Sequence, residues 1–312
     1  MTAVAVCLFP GQGSQRVGMG RDLVAAFPVA RRTFEEADAR LQMPLARLCF
    51  EGPEEMLVQT EHAQPAILTA SVAAYRVLEE TTGFRPAAVS GHSLGEWSAL
   101  VAAGALSLGE AVAAVRERGR LMQRADPAGE GTMAAVLGLD ADVVEALCAE
   151  AAAGDVLVPA NLNGAGQVVV AGHARAIDRL VALADARGGR ARRLPVSGAF
   201  HSPLMAPAGV ELARFVRSLH FRAPRLTVVS SVEARPVRGA EELPDLLVRQ
   251  LTSPVRWEET VRRLAALGAT VALETGPGRV LSGLAKRIVP SLVAIPAGDV
   301  DGIERAREAL EA

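Results

Sequence analysis

Short unbroken apolar runs alternate along the chain with longer stretches in which apolar residues return every three or four positions. Ala3 to Leu8, Ala87 to Val89, Leu226 to Ser230 and Thr270 to Glu274 are runs of the first kind. Runs this short and this apolar predict strands buried on both faces, as in a parallel sheet. The three- to four-residue spacing predicts helices over Arg21 to Ala39, Leu45 to Thr60, Thr60 to Thr82 and Glu96 to Ala105. The same spacing recurs over Leu243 to Leu251, Trp257 to Leu267 and Val280 to Ile288. Ser107, with Glu110 three residues on, makes a capping box for a further helix that runs to about Arg124. Strands alternating with helices predict an α/β fold around a parallel sheet.

The pattern changes after a Pro/Gly-rich break at Asp126 to Gly131. Strand-like Thr132 to Leu139 is followed by a helix, Asp140 to Ala152. Two short strands, Val156 to Pro159 and Gln167 to Ala171, flank a turn at Asn163-Gly164-Ala165-Gly166. A helix, Ala174 to Arg187, and a strand, Arg190 to Val196, complete the order βαββαβ, the ferredoxin-like arrangement. We therefore expect a core formed by residues 1–127 and 198–312, interrupted by a ferredoxin-like subdomain at 128–197.

Composition narrows the classes. Half of the 312 residues are hydrophobic, enough for a sizeable core. A net charge of −2 gives nucleic-acid binding no electrostatic support. The only lysine is Lys286. Cys7, Cys49 and Cys148 sit in apolar runs and form no C-x-x-C pair, which speaks against structural zinc and for a reducing compartment. Met1 to Phe9 lacks a basic leader and reads as a first core strand rather than a signal peptide. The apolar stretch Trp97 to Val115 is interrupted by Gly104, Ser107, Gly109 and Glu110, so it reads as helix, turn, helix and not as a membrane span. A cytoplasmic protein without membrane or nucleic-acid partners is expected.

Candidate chemistry centres on Gly91-His92-Ser93-Leu94-Gly95, a G-x-S-x-G match between a strand and a helix. In that context Ser93 is a candidate nucleophile, with the Leu94 N–H at the helix start as an oxyanion donor. A helix cap is the bland alternative. Gly11-Gln12-Gly13 follows the first strand, where the second oxyanion N–H of such enzymes arises, and Gln12 is the candidate. Of five histidines, His92 lies within the elbow and His62, His173 and His220 in polar contexts, leaving His201 as the candidate base. Arg118 falls in the apolar column Ala111, Val115, Met122 of its helix, the face that should be buried. A buried guanidinium needs an anion, and the pattern leaves open an internal Asp or Glu and a substrate carboxylate. Gln64 beside Pro65 reads first as a helix cap, as a polar residue beside a proline usually is, with a place facing the site as the alternative. Turns at Gly11, Gly91 and Gly276 end three strands, and the carboxyl ends of parallel strands are where α/β sites form.

Taken together, Phe9-Pro10-Gly11-Gln12-Gly13-Ser14-Gln15, Gly91-His92-Ser93-Leu94-Gly95-Glu96, Arg118-Gly119-Arg120-Leu121-Met122-Gln123, Gly198-Ala199-Phe200-His201-Ser202-Pro203, Val248-Arg249-Gln250-Leu251 and Glu274-Thr275-Gly276-Pro277-Gly278 resemble the malonyl-CoA:acyl-carrier-protein transacylases. The resemblance runs from Phe9 to about Ile288 in the family's order. It implies an α/β-hydrolase-like core with a ferredoxin-like subdomain, and transfer of malonyl groups to the phosphopantetheine thiol of acyl carrier protein for fatty-acid or polyketide synthesis. It implies Ser93 as nucleophile, His201 as base and acid, and Arg118 as partner of the malonyl carboxylate. The N–H groups of Gln12 and Leu94 would form the oxyanion hole, and the Gln250 main-chain carbonyl would orient His201. Phe200 matches the malonyl-type pattern, since a ring there would crowd an α-methyl group. Malonyl-CoA enters as a substrate, with no resident cofactor or metal, and the working unit is expected to be a monomer. Trp97, where Tyr is common, and an Asn163-Gly164-Ala165 turn lacking a frequent Pro depart from the pattern.

Two other classes compete. A serine esterase or thioesterase shares the elbow, but its order is normally Ser, then an acid, then a late His, and no histidine here follows His220. A catalytically silent carrier-binding subunit would not need Ser93, His201 and Arg118 intact. An acidic carrier would dock on a basic rim, for which Arg190, Arg192, Arg193, Lys286 and Arg287 are candidates.

Overall fold

A computed structural model describes residues 4–126, 129–196 and 198–311. The expected strand start at Ala3 and the expected boundaries at 127, 128 and 197 lie outside them. Nine strands are described. Five are parallel throughout: β1 (Ala5–Phe9), β2 (Ala88–Gly91), β7 (Thr227–Val229), β8 (Val271–Glu274) and β9 (Val293–Pro296), in the order β7-β2-β1-β8-β9. The central strands β1, β2 and β8 are buried along their whole length, as their unbroken apolar runs require. β9 was not anticipated. It is a short edge strand ending at Pro296, half exposed, so its sequence carries little of the buried-strand signal.

The other four strands form a separate antiparallel sheet, β4-β5-β3-β6, built from β3 (Gly131–Leu137), β4 (Leu157–Gly164), β5 (Gln167–His173) and β6 (Arg190–Arg193). Helices Ala141–Ala152 and Ala174–Ala186 bury Val144, Leu147, Ile177 and Leu180 against it, in a core of its own. The element order is the βαββαβ expected. β4 extends to Gly164, with irregular register at Pro159/Asn161 and Leu162/Gly164, so the expected turn shrinks to its last residues. β6 stops at Arg193, short of Val196, with Pro195 lacking the N–H that a ladder needs.

Prolines also cut two expected helices. Arg21 to Ala39 is two helices, Arg21–Ala26 and Pro28–Leu41, because Phe27 before Pro28 is extended (φ −127°, ψ 120°). Leu45 to Thr60 is likewise divided at Gly52-Pro53 into Leu45–Glu51 and Glu54–Leu57. Thr60–Thr82 is one continuous helix, and Leu108–Arg124 starts on the Ser107–Glu110 capping box. The last helix, Val300–Glu311, was not anticipated. No described helix is long and apolar enough to cross a membrane.

Register sets up the site. Leu8 pairs with Ser90 on one side and with Glu274 on the other, so β1, β2 and β8 end at the same edge. The chain leaves that edge at Pro10, His92 and Thr275. The antiparallel sheet reaches it through β4: the Leu162 N–H donates to the Val255 carbonyl at 2.8 Å, and Asn163 Oδ1 lies 2.9 Å from His92 Nε2.

Candidate active site

The turn from β2 into helix Gly95–Ala102 is closed too tightly for side chains at its glycines. A Cβ on Gly91 would lie 1.9 Å from the Gly95 carbonyl carbon, and one on Gly95 would lie 2.0 Å from the Phe9 carbonyl oxygen. Ser93 between them is held at φ +52°, in the left-handed region that a side chain rarely adopts. Such strain persists only when surrounding packing enforces it, and it clusters at functional sites.

Ser93 Oγ lies 2.8 Å from His201 Nε2, and His201 Nδ1 lies 2.7 Å from the Gln250 main-chain oxygen. A carbonyl only accepts, so Nδ1 carries the hydrogen and Nε2 is free to accept the Ser93 proton. His201 stands at the end of a loop braced by Ser202 Oγ, which donates to the Ala199 carbonyl at 2.6 Å. Gln250 ends helix Leu243–Arg249. Burial, and next the nearby Arg118 cation, push His201 from its ordinary 6.5 down to about 3. It is therefore a neutral imidazole at physiological pH.

Arg118 is 1% exposed, in the middle of helix Leu108–Arg124, on the face its spacing predicts. Its Nη1 donates to Gln64 Oε1 at 2.8 Å, and its Nη2 donates to Ser93 Oγ at 3.1 Å and Gln250 Oε1 at 3.0 Å. Its Nε–H, also buried, has no partner among the described residues. No carboxylate there lies within ion-pair distance, so the internal salt bridge left open by the helical pattern is not made. Burial lowers its pKa to about 10, with Glu96 opposing the shift.

The loop after β1 meets the elbow directly, since a Cβ on Gly11 would lie 2.5 Å from the His92 carbonyl oxygen. Gln12 follows Gly11 directly, and its side-chain Nε2 donates to Thr60 Oγ1 at 3.1 Å. Neither main-chain N–H, of Gln12 or of Leu94, has an acceptor among the described residues. Gly276 joins the same cluster, where a Cβ would lie 2.9 Å from Pro10 Cδ. Phe200 is buried beside His201, its ring folded back over Gly198.

The model family described as acyl transferase domain matches residues 6–303. The malonyl CoA-acyl carrier protein transacylase of Escherichia coli K12 is 46% identical over 302 residues, 96% of this chain and 98% of that protein. The chain belongs to the malonyl-CoA:acyl-carrier-protein transacylase family of acyltransferases. The Bacillus subtilis 168 transacylase is 44% identical over 97% of this chain and 96% of its own. Among solved structures, the Coxiella burnetii transacylase superposes with a TM-score of 0.97 at 40% identity, covering 100% of this chain and 99% of its own. A malonyl-transacylase solved in complex with a type II polyketide acyl-carrier protein gives 0.96 at 44% identity, covering 98% of this chain and 100% of its own.

Against this transacylase frame, the chain's spacing left two polar groups unassigned or half-assigned. Gln64 holds Arg118 and is no helix cap. Glu96, which read only as a first-turn helix residue, is buried beneath the elbow. The basic rim needs a correction. Helix Val280–Ile288 leaves the site edge after β8 and runs back to start parallel β9, so Lys286 and Arg287, in its last turn, lie at the opposite edge from Ser93. Arg193 is engaged by Asp178 at 2.5 Å. Arg190 and Arg192 remain exposed on β6.

Proposed function

We propose that this acyltransferase moves the malonyl group of malonyl-CoA to the phosphopantetheine thiol of acyl carrier protein through a malonyl ester of Ser93. One observation carries the reading: a single oxygen, Ser93 Oγ, lies within hydrogen-bond reach of a neutral imidazole and of a buried guanidinium. The first makes it a nucleophile; the second sets a cation beside the acyl group it would carry. The transacylase names of the relatives, and the carrier-protein complex of one solved neighbour, agree with this.

In the proposed first step, His201 Nε2 takes the Ser93 proton while Oγ attacks the thioester carbonyl. The charge gathering on the carbonyl oxygen is received by the N–H groups of Gln12 and Leu94, each worth about 2.7–4 kcal/mol by analogy with other acyl-transfer sites. The imidazolium formed is stabilised by the Gln250 carbonyl. It hands its proton to the departing CoA sulfur as the C–S bond breaks. The carrier thiol then reverses the sequence, so the transfer is ping-pong. Arg118 donates only to neutral acceptors and keeps an Nε–H with no partner among the described residues, and the malonyl carboxylate fits such a group. Phe200 beside His201 would crowd an α-branched acyl group.

The same proposal treats residues 1–127 and 198–312 as an α/β-hydrolase-like catalytic core and 128–197 as a ferredoxin-like subdomain. The sheet order β4-β5-β3-β6 with its two helices supports the second assignment. The working unit under this proposal is a monomer. Three buried free cysteines fit a reducing, cytoplasmic setting.

Incubating the protein with malonyl-CoA, then intact-mass spectrometry, tests the intermediate. A single added malonyl group is expected, lost with Ser93→Ala and discharged by holo carrier protein. Label that persists in Ser93→Ala, or that is released only as free malonate when carrier is present, would overturn the reading, the latter in favour of a hydrolase.

A further inference from the structure

Glu96 is a carboxylate buried to 2% exposure that the mechanism above does not use. It lies in the first turn of the elbow helix, directly after Gly95. One of its oxygens, Oε2, accepts from Ser231 Oγ at 2.7 Å, from the Ser231 N–H at 3.3 Å and from Gln250 Nε2 at 2.8 Å. Because Oε2 takes the Ser231 backbone N–H, it is an acceptor, and it dictates which end of the Gln250 amide faces it. The amide nitrogen turns to Glu96, where it also donates to the Ser93 carbonyl at 3.1 Å. The amide oxygen is left facing Arg118 and accepts from Nη2 at 3.0 Å. With the amide reversed, an NH2 group would face a guanidinium, which has donors only.

We propose that Glu96 is a positioning residue for acyl selection: it locks the Gln250 amide in the one orientation that holds the Arg118 guanidinium over Ser93. The proposal rests on Arg118 being the carboxylate-binding residue. Glu96 acts on it through a neutral amide rather than by direct pairing. Direct pairing would cancel the charge that has to receive the substrate. At one amide's remove, Glu96 still favours the charged form of Arg118 and leaves its donors free for a second anion. Gln250 is thus used at both ends, its main-chain carbonyl on His201 Nδ1 and its side chain between Glu96 and Arg118. Burial raises the pKa of the carboxylate, and the Ser231 and Gln250 donors oppose that rise in part.

The test compares malonyl-CoA with acetyl-CoA as donors to holo carrier protein, taking the ratio of their kcat/KM values. A change that merely loosens the fold lowers both and leaves the ratio alone. Glu96→Gln keeps an oxygen able to accept at the Oε2 position, so its ratio is expected within about threefold of the parent. Glu96→Ala frees the amide, and the ratio is expected to fall about tenfold or more. Gln250→Met, which retains the main-chain carbonyl, is expected to reproduce that fall, and adding Glu96→Ala to it should lower the ratio no further. The second variant decides the matter even if Glu96→Ala does not fold. An unchanged ratio in Gln250→Met, or a fall in Glu96→Gln as large as in Glu96→Ala, would overturn the proposal. Arg118→Ala is run alongside. If it leaves the ratio intact, the underlying reading of Arg118 has failed; if it collapses the ratio while Glu96→Ala does not, only the role of Glu96 has.

Discussion

Replacing Arg118 with Ala isolates the group that would turn a general acyl transferase into a malonyl transferase. The guanidinium is fully buried and offers an Nε–H with no partner among the described residues, together with two donors now resting on amide oxygens. Removing one partner of a buried, hydrogen-bonded ion pair costs about 3–5 kcal/mol. At 1.36 kcal/mol per power of ten, malonyl kcat/KM should fall by about 2.2 to 3.7 powers of ten. Acetyl transfer has no carboxylate to lose. It forfeits only the 3.1 Å contact from Nη2 to Ser93 Oγ, a loss of about 1 kcal/mol or about fivefold. The malonyl-to-acetyl ratio should therefore drop by at least about thirtyfold. The assay is transfer from each labelled CoA ester to holo carrier protein over a range of donor concentrations. A second signature accompanies it. Arg118 is the next cause after burial of the low His201 pKa, so without it His201 protonates at higher pH. The acid limb of residual acetyl transfer should move up in pH. Equal losses on both donors with an unmoved acid limb would refute the reasoning.

In the intact protein, His201 resists protonation down to about 3, so the acid limb of kcat/KM should lie well below the ordinary 6.5 of an imidazole. Unfolded chain takes up that proton near 6.5 and folded chain does not, so His201 contributes to stability above 6.5 and progressively less as pH falls towards about 3. Thermal melts across that window should record the loss. Gly95→Ala drives a Cβ to 2.0 Å from the Phe9 carbonyl oxygen, a backbone atom unable to turn aside, and should abolish acyl-enzyme formation with a marked fall in Tm. Normal labelling of that variant would contradict the tightness of the elbow. Ser107→Ala removes the capping box of the helix that carries Arg118 and should cost about 1 kcal/mol, lowering Tm by about 2 °C with kcat/KM unchanged.

Local features were written plainly in the chain. The apolar runs of β1, β2 and β8 announced buried parallel strands, because a strand covered on both faces leaves no position for polar residues. Ser107 and Glu110 marked a helix start, and the phase of Ala111, Val115 and Met122 placed Arg118 on a buried face before any packing was known. The glycines of the elbow were legible because only glycine fits so closed a turn. Where a proline or an edge intervened, the apolar pattern was misleading. It ran the helix past Phe27 and missed β9, since periodicity records the partner surface and not the backbone constraint of the next residue.

What the chain alone could not supply was partnership. The Ser93–His201 pair joins residues 108 apart in sequence, and Arg118 reaches Gln250 across 132 positions. No spacing rule spans such distances; they close only when the sheet register brings three strand ends to one edge and the helices settle upon it. The spacing showed that Arg118 must be buried, and the residue motifs showed an elbow, a turn and a histidine. Only the tertiary structure decided that Arg118 meets no acid within ion-pair distance among the described residues, that Gln64 and Gln250 hold it, and that Glu96 sits behind them. The reason is physical. Whether a residue faces inward depends on its own helix or strand, whereas what it meets there depends on every element packed against it.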